Sequence, residues 1–245
     1  NVESRGLGDV YKRQFIDYAM RYGNPGIDKI LNKMTKNGCS KILLVPLYPQ
    51  YAASTTATVK DEVFKWLLKQ RWQPDIRTVS PWFDNKNYIK ALALTVKKHL
   101  KDRDKIDKLV ISFHGIPKRY FMAGDPYHCH CIKTARLLKE ELKWPQNKVL
   151  VTFQSRFGPE PWLQPYTDET IIELAKQGSK NIALIAPGFI SDCLETLEEL
   201  NVEARELFFE NGGKTFQYVP CLNDNEYSIK FLNEIVKKNL LGWNN

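Results

Sequence analysis

Lys108-Leu-Val-Ile-Ser-Phe-His114, followed at once by Gly115-Ile-Pro117, is the stretch from which the fold class can be read. Its apolar residues run almost without interruption, the pattern of a strand covered on both faces. Comparable runs occur at Lys41–Pro49, Ile76–Pro81, Lys148–Gln154, Asn181–Pro187 and Phe216–Pro220. Between them lie stretches with helical character: Gly26–Lys36, Thr56–Lys69, Asn87–Lys101, Thr134–Leu142, Thr167–Lys176, Cys193–Phe209 and Glu226–Asn239. Strand and helix therefore alternate, which predicts an α/β protein with parallel sheets, right-handed crossovers and helices on both faces. Thr167-Asp-Glu169 puts anionic side chains at a helix start, where the macrodipole favours them. Gly38 and Gly178 fall just after helices and just before strands, where a left-handed residue is expected. The order helix end, Gly, strand, Pro appears twice, at 33–49 and 175–187, a pattern that fits two similar α/β halves. The mixed-charge stretch 101–108 reads as a linker, and residues 1–14 lack any clear period.

Composition narrows the function class. With 43% hydrophobic and 26% charged residues the chain reads as a folded globular protein. Its 245 residues suit one large domain or two small ones. No apolar run approaches the ~18–20 residues that span a bilayer, and the N-terminus lacks signal-peptide organisation. Five scattered cysteines form no disulfide framework and fit a reducing compartment. The net charge of +8 favours anionic partners: nucleic acid, a membrane surface, or a small molecule bearing carboxylates or phosphates. No P-loop or Gly-x-Gly-x-x-Gly is present, nor Gly-x-Ser-x-Gly, so neither a nucleotide cofactor nor hydrolase chemistry is expected. Basic residues are interspersed with acids and carry no nucleic-acid-binding signature, which argues against nucleic acid.

In parallel α/β sheets ligands bind beyond the carboxyl ends of the strands. The segments found there are Tyr48-Pro-Gln-Tyr-Ala-Ala-Ser-Thr-Thr56, His114-Gly-Ile-Pro-Lys-Arg-Tyr120, Gln154-Ser-Arg-Phe-Gly-Pro-Glu-Pro-Trp162 and Pro187-Gly-Phe-Ile-Ser-Asp-Cys-Leu-Glu195. Histidine at a strand end can take a proton near neutral pH or ligate a transition metal, so His114 is a candidate for either role. Asp192, Glu195, Glu199, Glu203, Glu206 and Glu210, at spacings of 3, 4, 4, 3 and 4, fall on one face of a helix. Such a face is ordinarily just solvated. The members nearest the strand end, Asp192 and Glu195, are nevertheless oxygen donors suited to a hard or borderline divalent cation. His128-Cys-His-Cys131 holds four metal-ligating residues in a row but lacks the paired Cys-x-x-Cys halves of zinc and iron–sulfur sites. It reads as an exposed loop opening a helix.

Leu47-Tyr-Pro-Gln-Tyr-Ala-Ala-Ser-Thr-Thr56, Ser112-Phe-His-Gly-Ile-Pro-Lys-Arg-Tyr120, Thr152-Phe-Gln-Ser-Arg-Phe-Gly158 and the run from Pro187 to Glu199 together resemble the ferrochelatases of proteobacterial type. Met20-Arg-Tyr-Gly-Asn-Pro25 and Pro220-Cys-Leu-Asn-Asp224 fit the same family, so the likeness extends from about Phe15 to the C-terminus. The resemblance implies a chelatase-like fold of two similar doubly wound, Rossmann-like domains. It also implies insertion of Fe(II) into protoporphyrin IX to form protohaem, with Fe(II) as substrate and no resident cofactor. The family's site histidine falls on His114 and its site glutamate on Glu195, with Glu199 on the second acid; these three are the implied metal-handling residues. Tyr48, Arg21, Tyr22 and Trp162 fall on cleft-lining positions, and Asp192 is assigned with them to substrate. A cytoplasmic protein with peripheral contact to the inner membrane is expected.

The expected domains are 15–88 completed by the C-terminal helix 225–245, and 89–224. Family members begin with a further strand and a glycine-containing loop that nothing here matches. Residues 1–14 are therefore expected to be an unmatched leader on an N-terminally truncated chain. Animal-type members add a cysteine-rich C-terminal extension for an iron–sulfur cluster, which this chain lacks, and no such cluster is expected. Two other functions share the features: a cobalt or nickel chelatase acting on a corrin-type ring, and a non-catalytic tetrapyrrole-binding protein.

Overall fold

The computed structural model describes residues 14–100 and 102–243. These divide into two compact units. The first contains the described residues up to Pro46, Ser54–Ser80 and those from Asn233 onward; the second contains Leu47–Ala53 and Pro81–Leu232. The expected boundaries at 88/89 and 224/225 thus shift to Ser80/Pro81 and Leu232/Asn233. A cut at 88 would fall inside a helix that begins at Lys86, where Asn85 caps the amides of Asn87 and Tyr88.

In the first unit α1 (Ile27–Lys36) leads to β1 (Lys41–Leu44), which pairs in parallel with β2 (Asp75–Thr78) from Lys41↔Asp75 to Leu44↔Thr78. The segment between the strands opens with a π-helical turn, Ala53–Ala57, and continues as α2 (Thr58–Leu67). Trp66 Nε1 donates to Asn32 Oδ1 at 3.0 Å and ties α2 to α1.

The second unit is built on a four-stranded parallel sheet. Its strands are β3 (Lys108–His114), β4 (Val149–Gln154), β5 (Asn181–Ile185) and β6 (Thr215–Val219), in the order β4-β3-β5-β6. α3 (Lys86–His99) precedes β3, the short α4 (Lys118–Met122) and α5 (Tyr127–Leu142) follow it, and α6 (Thr167–Lys176) joins β4 to β5. A π-helix, Glu195–Glu203, runs into α7 (Ala204–Glu210) between β5 and β6. α8 (Glu226–Leu240) closes the chain, and the line between the units crosses it.

β3 lies at the centre, and Leu109, Val110, Ile111 and Phe113 have no exposed surface, as its continuous apolar run predicts. On one sheet face Val110, Ile182 and Leu184 pack with Ile171 and Leu174 of α6, Leu200 of the π-helix and Ala204 and Phe208 of α7. Residues 109, 111 and 113 point the other way by strand alternation.

Both glycine expectations hold. Gly38 (φ +81) and Gly178 (φ +96) each follow a helix, with their amides returning to Thr35 O and Ala175 O. The next amides return to Met34 O and Leu174 O, the paired bonds of a left-handed helix end. The parallel between the halves extends further, since each has a π-helical turn in the connection after β1 or β5.

Two expectations need correction. The described part of the expected linker, 102–108, is no linker: Asp107 Oδ2 accepts the amides of Lys180 and Asn181 at 2.8 Å each, and Ile106 is buried. Asp107 thereby fastens this turn to the start of β5. The acidic stretch 195–203 is π-helical, closing i→i+5 hydrogen bonds. Hydrophobic periodicity does not resolve that difference. The unmatched leader, 1–14, lies outside the described residues except for its last.

Gly213 follows α7 so closely that an added Cβ would overlap the ring of fully buried Phe208. Gly213→Ala is expected to destabilise the second unit by about 1–3 kcal/mol, the usual cost of overpacking, read as a lower urea midpoint at unchanged slope.

Candidate functional site

The strand order β4-β3-β5-β6 contains one reversal. From β3 the chain crosses to β4 on one side, and from β5 it crosses to β6 on the other, so the crevice lies beyond the carboxyl ends of β3 and β5. His114 is the last residue of β3. The loop after β5 leads to Glu195, the first residue of the π-helix. Tyr88, fully buried on α3, fixes the start of that loop by donating its hydroxyl to Pro187 O.

His114 is partly buried, and its Nδ1 lies 2.7 Å from the Gly115 carbonyl. A carbonyl only accepts, so Nδ1 carries a proton, and Nε2 is the ring nitrogen that can exchange one. The main-chain carbonyl of His114 accepts the Tyr127 hydroxyl at 2.9 Å. Glu195 is partly buried too, and its carboxyl is held below the ordinary range. A hydrogen bond from the Cys193 thiol is the main cause; its own amide and the attraction of His114 add to it, against a smaller burial penalty. An imidazole held by the Gly115 carbonyl and an ionised carboxylate thus belong to the same crevice.

Glu199 is held differently. Its Oε1 accepts the Ser155 amide at 2.8 Å, and its Oε2 accepts the Ser155 hydroxyl and, at 3.5 Å, Gln154 Nε2. Ser155 is left-handed (φ +59), which turns its amide and hydroxyl onto the same carboxylate. Gln154 Nε2 also donates to Glu195 O at 3.3 Å. Beneath it, Ser112 Oγ donates to Gln154 Oε1 at 2.9 Å and contacts Thr167 Oγ1 at 2.8 Å, and Thr167 donates to Thr152 at 2.9 Å. These three hydroxyl residues are buried, so the network orients the Gln154 amide toward the π-helix. Glu199 and Glu203 line a cleft of ≈ 410 Å³ together with Ser155, Arg156, Tyr166 and Asp168.

Trp162 lies beside the histidine, with ring centroids 6.5 Å apart. Backbone bonds from Lys118 to Pro161 and from Leu163 to Ile116 hold its segment against the one after β3. Its Nε1 donates to Phe157 O at 3.0 Å, and the exposed Phe157 ring stands edge-on at 5.8 Å. Gly115 permits the approach: a Cβ there would lie 3.0 Å from Gln154 O and 3.2 Å from the Trp162 ring.

The structure therefore gathers His114, Glu195, Glu199 and Trp162 around the strand ends of the second unit, to which Tyr48 also belongs. Arg21 and Tyr22 lie in the first unit, where Arg21 Nε donates to Thr58 O at 3.1 Å and its guanidinium sits 4.4 Å from the centre of the exposed Tyr22 ring.

Three calls change. Asp192 is a structural clamp: Oδ1 accepts from Tyr218 Oη at 2.7 Å, Thr196 Oγ1 at 3.0 Å and the Cys221 amide, and Oδ2 from Asn223 Nδ2 at 2.8 Å. Among the described residues no three His, Cys, Asp or Glu side chains stand close enough to share a metal ion. His114, Glu195 and Glu199 are accordingly not a preformed three-ligand set, because Glu199 is turned to Ser155. Finally, 128–131 is the first turn of α5, not a loop. Consecutive helical side chains diverge: Cys131 is buried, Cys129 is exposed, and His130 stacks on Phe83 with centroids 3.7 Å apart.

Sequence reading missed Ser155, Gln154 and Phe157 as partners of the site. All three lie inside the quoted segment Gln154–Trp162, but only the fold shows their contacts.

Burial opposes the charge of Asp192, yet the bonds from Asn223, Tyr218, the Cys221 amide and Thr196 outweigh it and lower its pKa. Its contribution to stability is therefore complete above the unfolded value near 3.9 and lost as pH falls through the lower folded value. Asp192→Ala is expected to cost on the order of 3 kcal/mol at neutral pH by stranding those donors, read from urea denaturation. Wild-type stability at neutral pH would contradict the clamp.

The ferrochelatase family profile matches residues 5–240, so the likeness reaches into the segment expected to be an unmatched leader. The ferrochelatase of Allorhizobium ampelinum is 59% identical over 93% of this chain and 67% of its own length. That of Rhizobium meliloti is 58% identical over 93% and 68%. Among solved structures, SirB from Bacillus subtilis with Fe3+ superposes with a TM-score of 0.68 at 16% identity, covering 97% of this chain and 88% of that one, a likeness of fold. Sequence motifs, family profile and curated relatives agree, and the chain belongs to the ferrochelatase family.

Proposed function

We propose that the protein inserts Fe(II) into protoporphyrin IX, the last step of protohaem synthesis, with Fe(II) as substrate and no resident cofactor. The observation that carries the reading is the presence together, at the β3/β5 crevice, of the His114 imidazole, its Nδ1 engaged by the Gly115 carbonyl, and the ionised Glu195. Metallation must remove two pyrrole protons and accept a desolvated cation. Bending the macrocycle exposes its nitrogen lone pairs, so a crevice that grips a bent ring favours the transition state. His114 Nε2 accepts one pyrrole proton, passes it to solvent and then accepts the second, while Glu195 stabilises the imidazolium formed each time and draws the cation. Glu199, steadied by Ser155 and Gln154, supplies a second acidic station one turn along the π-helix.

Trp162, with Phe157, offers an aromatic wall for the macrocycle, and Tyr48 contributes from its own loop. Arg21 and Tyr22 are proposed as substrate residues too, Arg21 through its charge toward propionates. Curated ferrochelatases above 50% identity favour iron and porphyrin over a corrin-type ring, whereas the SirB likeness carries fold alone. The +8 charge suits a dicarboxylate substrate and a cytoplasmic protein resting against the inner membrane surface. Among the described residues no helix is long and apolar enough to cross a membrane.

His114→Ala and Glu195→Ala are each expected to slow metallation by about 10²-fold or more, within the range for losing a proton-transfer group, with far-UV circular dichroism unchanged. The assay is anaerobic loss of protoporphyrin fluorescence on adding Fe(II). Near-normal rates in either variant contradict the assignment, and binding without metallation by the wild type would support a non-catalytic binding protein.

A further inference from the structure

The loop Leu47–Ala53 is fastened to α5 and the turn before it at three levels. The Ala53 amide donates to Asp125 Oδ2 at 2.7 Å, the Tyr51 amide to His130 Nδ1 at 3.2 Å, and Gln50 Nε2 to Thr134 Oγ1 at 3.0 Å. His130 and Thr134, four residues apart, share one face of α5, and Asp125 lies in the turn just before it. Thr134 passes its own proton to Phe83 O at 2.8 Å. The His130 ring lies nearly parallel to Phe83, at 10°, so its plane is set by packing.

Of the three acceptors, the imidazole is the one that a proton removes near neutrality. Nδ1 accepts the Tyr51 amide only while it is unprotonated; the imidazolium would present N–H to N–H. The charged groups around the ring are Asp84, Asp125 and Lys133, with Lys133 paired to Asp84 at 2.9 Å. Burial is the largest influence and disfavours the charged ring; Lys133 acts with it, and the two carboxylates oppose it without prevailing. The lone pair is therefore available at neutral pH, and the Tyr51 bond weakens as pH falls below the ordinary imidazole value near 6.5.

We propose that His130 is a positioning residue for porphyrin: as a neutral imidazole it holds the Tyr51 amide, and so the Tyr48-bearing loop, in its binding arrangement, and it releases the loop on protonation. The catalytic half of this inference rests on the porphyrin reading above; the latch itself does not.

The test compares wild type with His130→Asn and His130→Ala from pH 5.5 to 8. Asparagine Oδ1 replaces the Nδ1 acceptor but does not titrate. Hydrogen exchange of the 47–53 backbone, corrected for intrinsic rate, reads the latch without ligand. The KM for protoporphyrin, set against kcat and the KM for Fe(II), reads its consequence.

Wild-type protection at Tyr51 is expected to fall roughly three- to tenfold on acidification, to stay level in His130→Asn, and to be low throughout in His130→Ala. Porphyrin KM should rise in the same pattern and by a similar factor, with the KM for Fe(II) unchanged. Protection at Tyr51 that ignores both pH and His130→Ala overturns the latch. Protection that follows the pattern while porphyrin KM does not overturns the positioning role. A wild type that shows the latch but neither binds nor metallates protoporphyrin refutes the porphyrin reading instead, and the role with it.

Discussion

The divergence of two crossovers at adjacent strands governs the rest of this structure. β3 and β5 pair in parallel, from Lys108↔Ile182 to Ile111↔Ile185, and the connections that leave them travel in opposite directions. No helix can cover both carboxyl ends at once, so the backbone beyond Ile185 and His114 is left to form a crevice. Strand length then sets depth: β3 runs on beside β4 to His114↔Gln154, three positions past its last pairing with β5. The histidine is thus delivered at the crevice edge by hydrogen bonds made well inside the core.

Gln154 transmits that placement to the acidic side. It is only 4% exposed, and its amide is oriented from below by Ser112, Thr167 and Thr152 while reaching Glu195 O and Glu199 above. A buried network with its members paired is rigid, and one with a missing member is costly, so these polar residues specify geometry as well as stability. The π-helix that begins at Glu195 fits this frame, because the Glu195 carbonyl has a partner outside the helix. Asp192 anchors the same helix start from the other direction through Thr196, Tyr218 and Asn223.

How much of this the chain discloses in advance depends on the kind of signal. β3 was legible to the residue, since Lys108–His114 is bounded by charge before and Gly-Ile-Pro after, and so were α6 and the two glycine helix ends. That His114 and Glu195 lie at or beyond strand ends followed from the alternation of strands and helices. The start of α5 was obscured because two cysteines and two histidines looked like ligands. The deciding local feature was Asp125-Pro126, where Asp125 Oδ1 accepts the Tyr127 amide at 2.9 Å and proline enters the helix without an amide to lose. The grip of Ser155 on Glu199 joins residues 44 positions apart through a left-handed turn, which no periodicity encodes. The clamp on Asp192 was hidden for the same reason, its partners lying up to 31 residues away.

The central claim is that the chemistry takes place at the β3/β5 crevice, with His114 as the base. A crystal structure of the protein with protoporphyrin bound tests it most directly. The account predicts a bent macrocycle above the carboxyl ends of β3 and β5, one face against Trp162, with His114 Nε2 the nearest protein base to the pyrrole nitrogens and Glu195 beside it. A ring bound elsewhere, or one whose nitrogens face away from both His114 and Glu195, would contradict it.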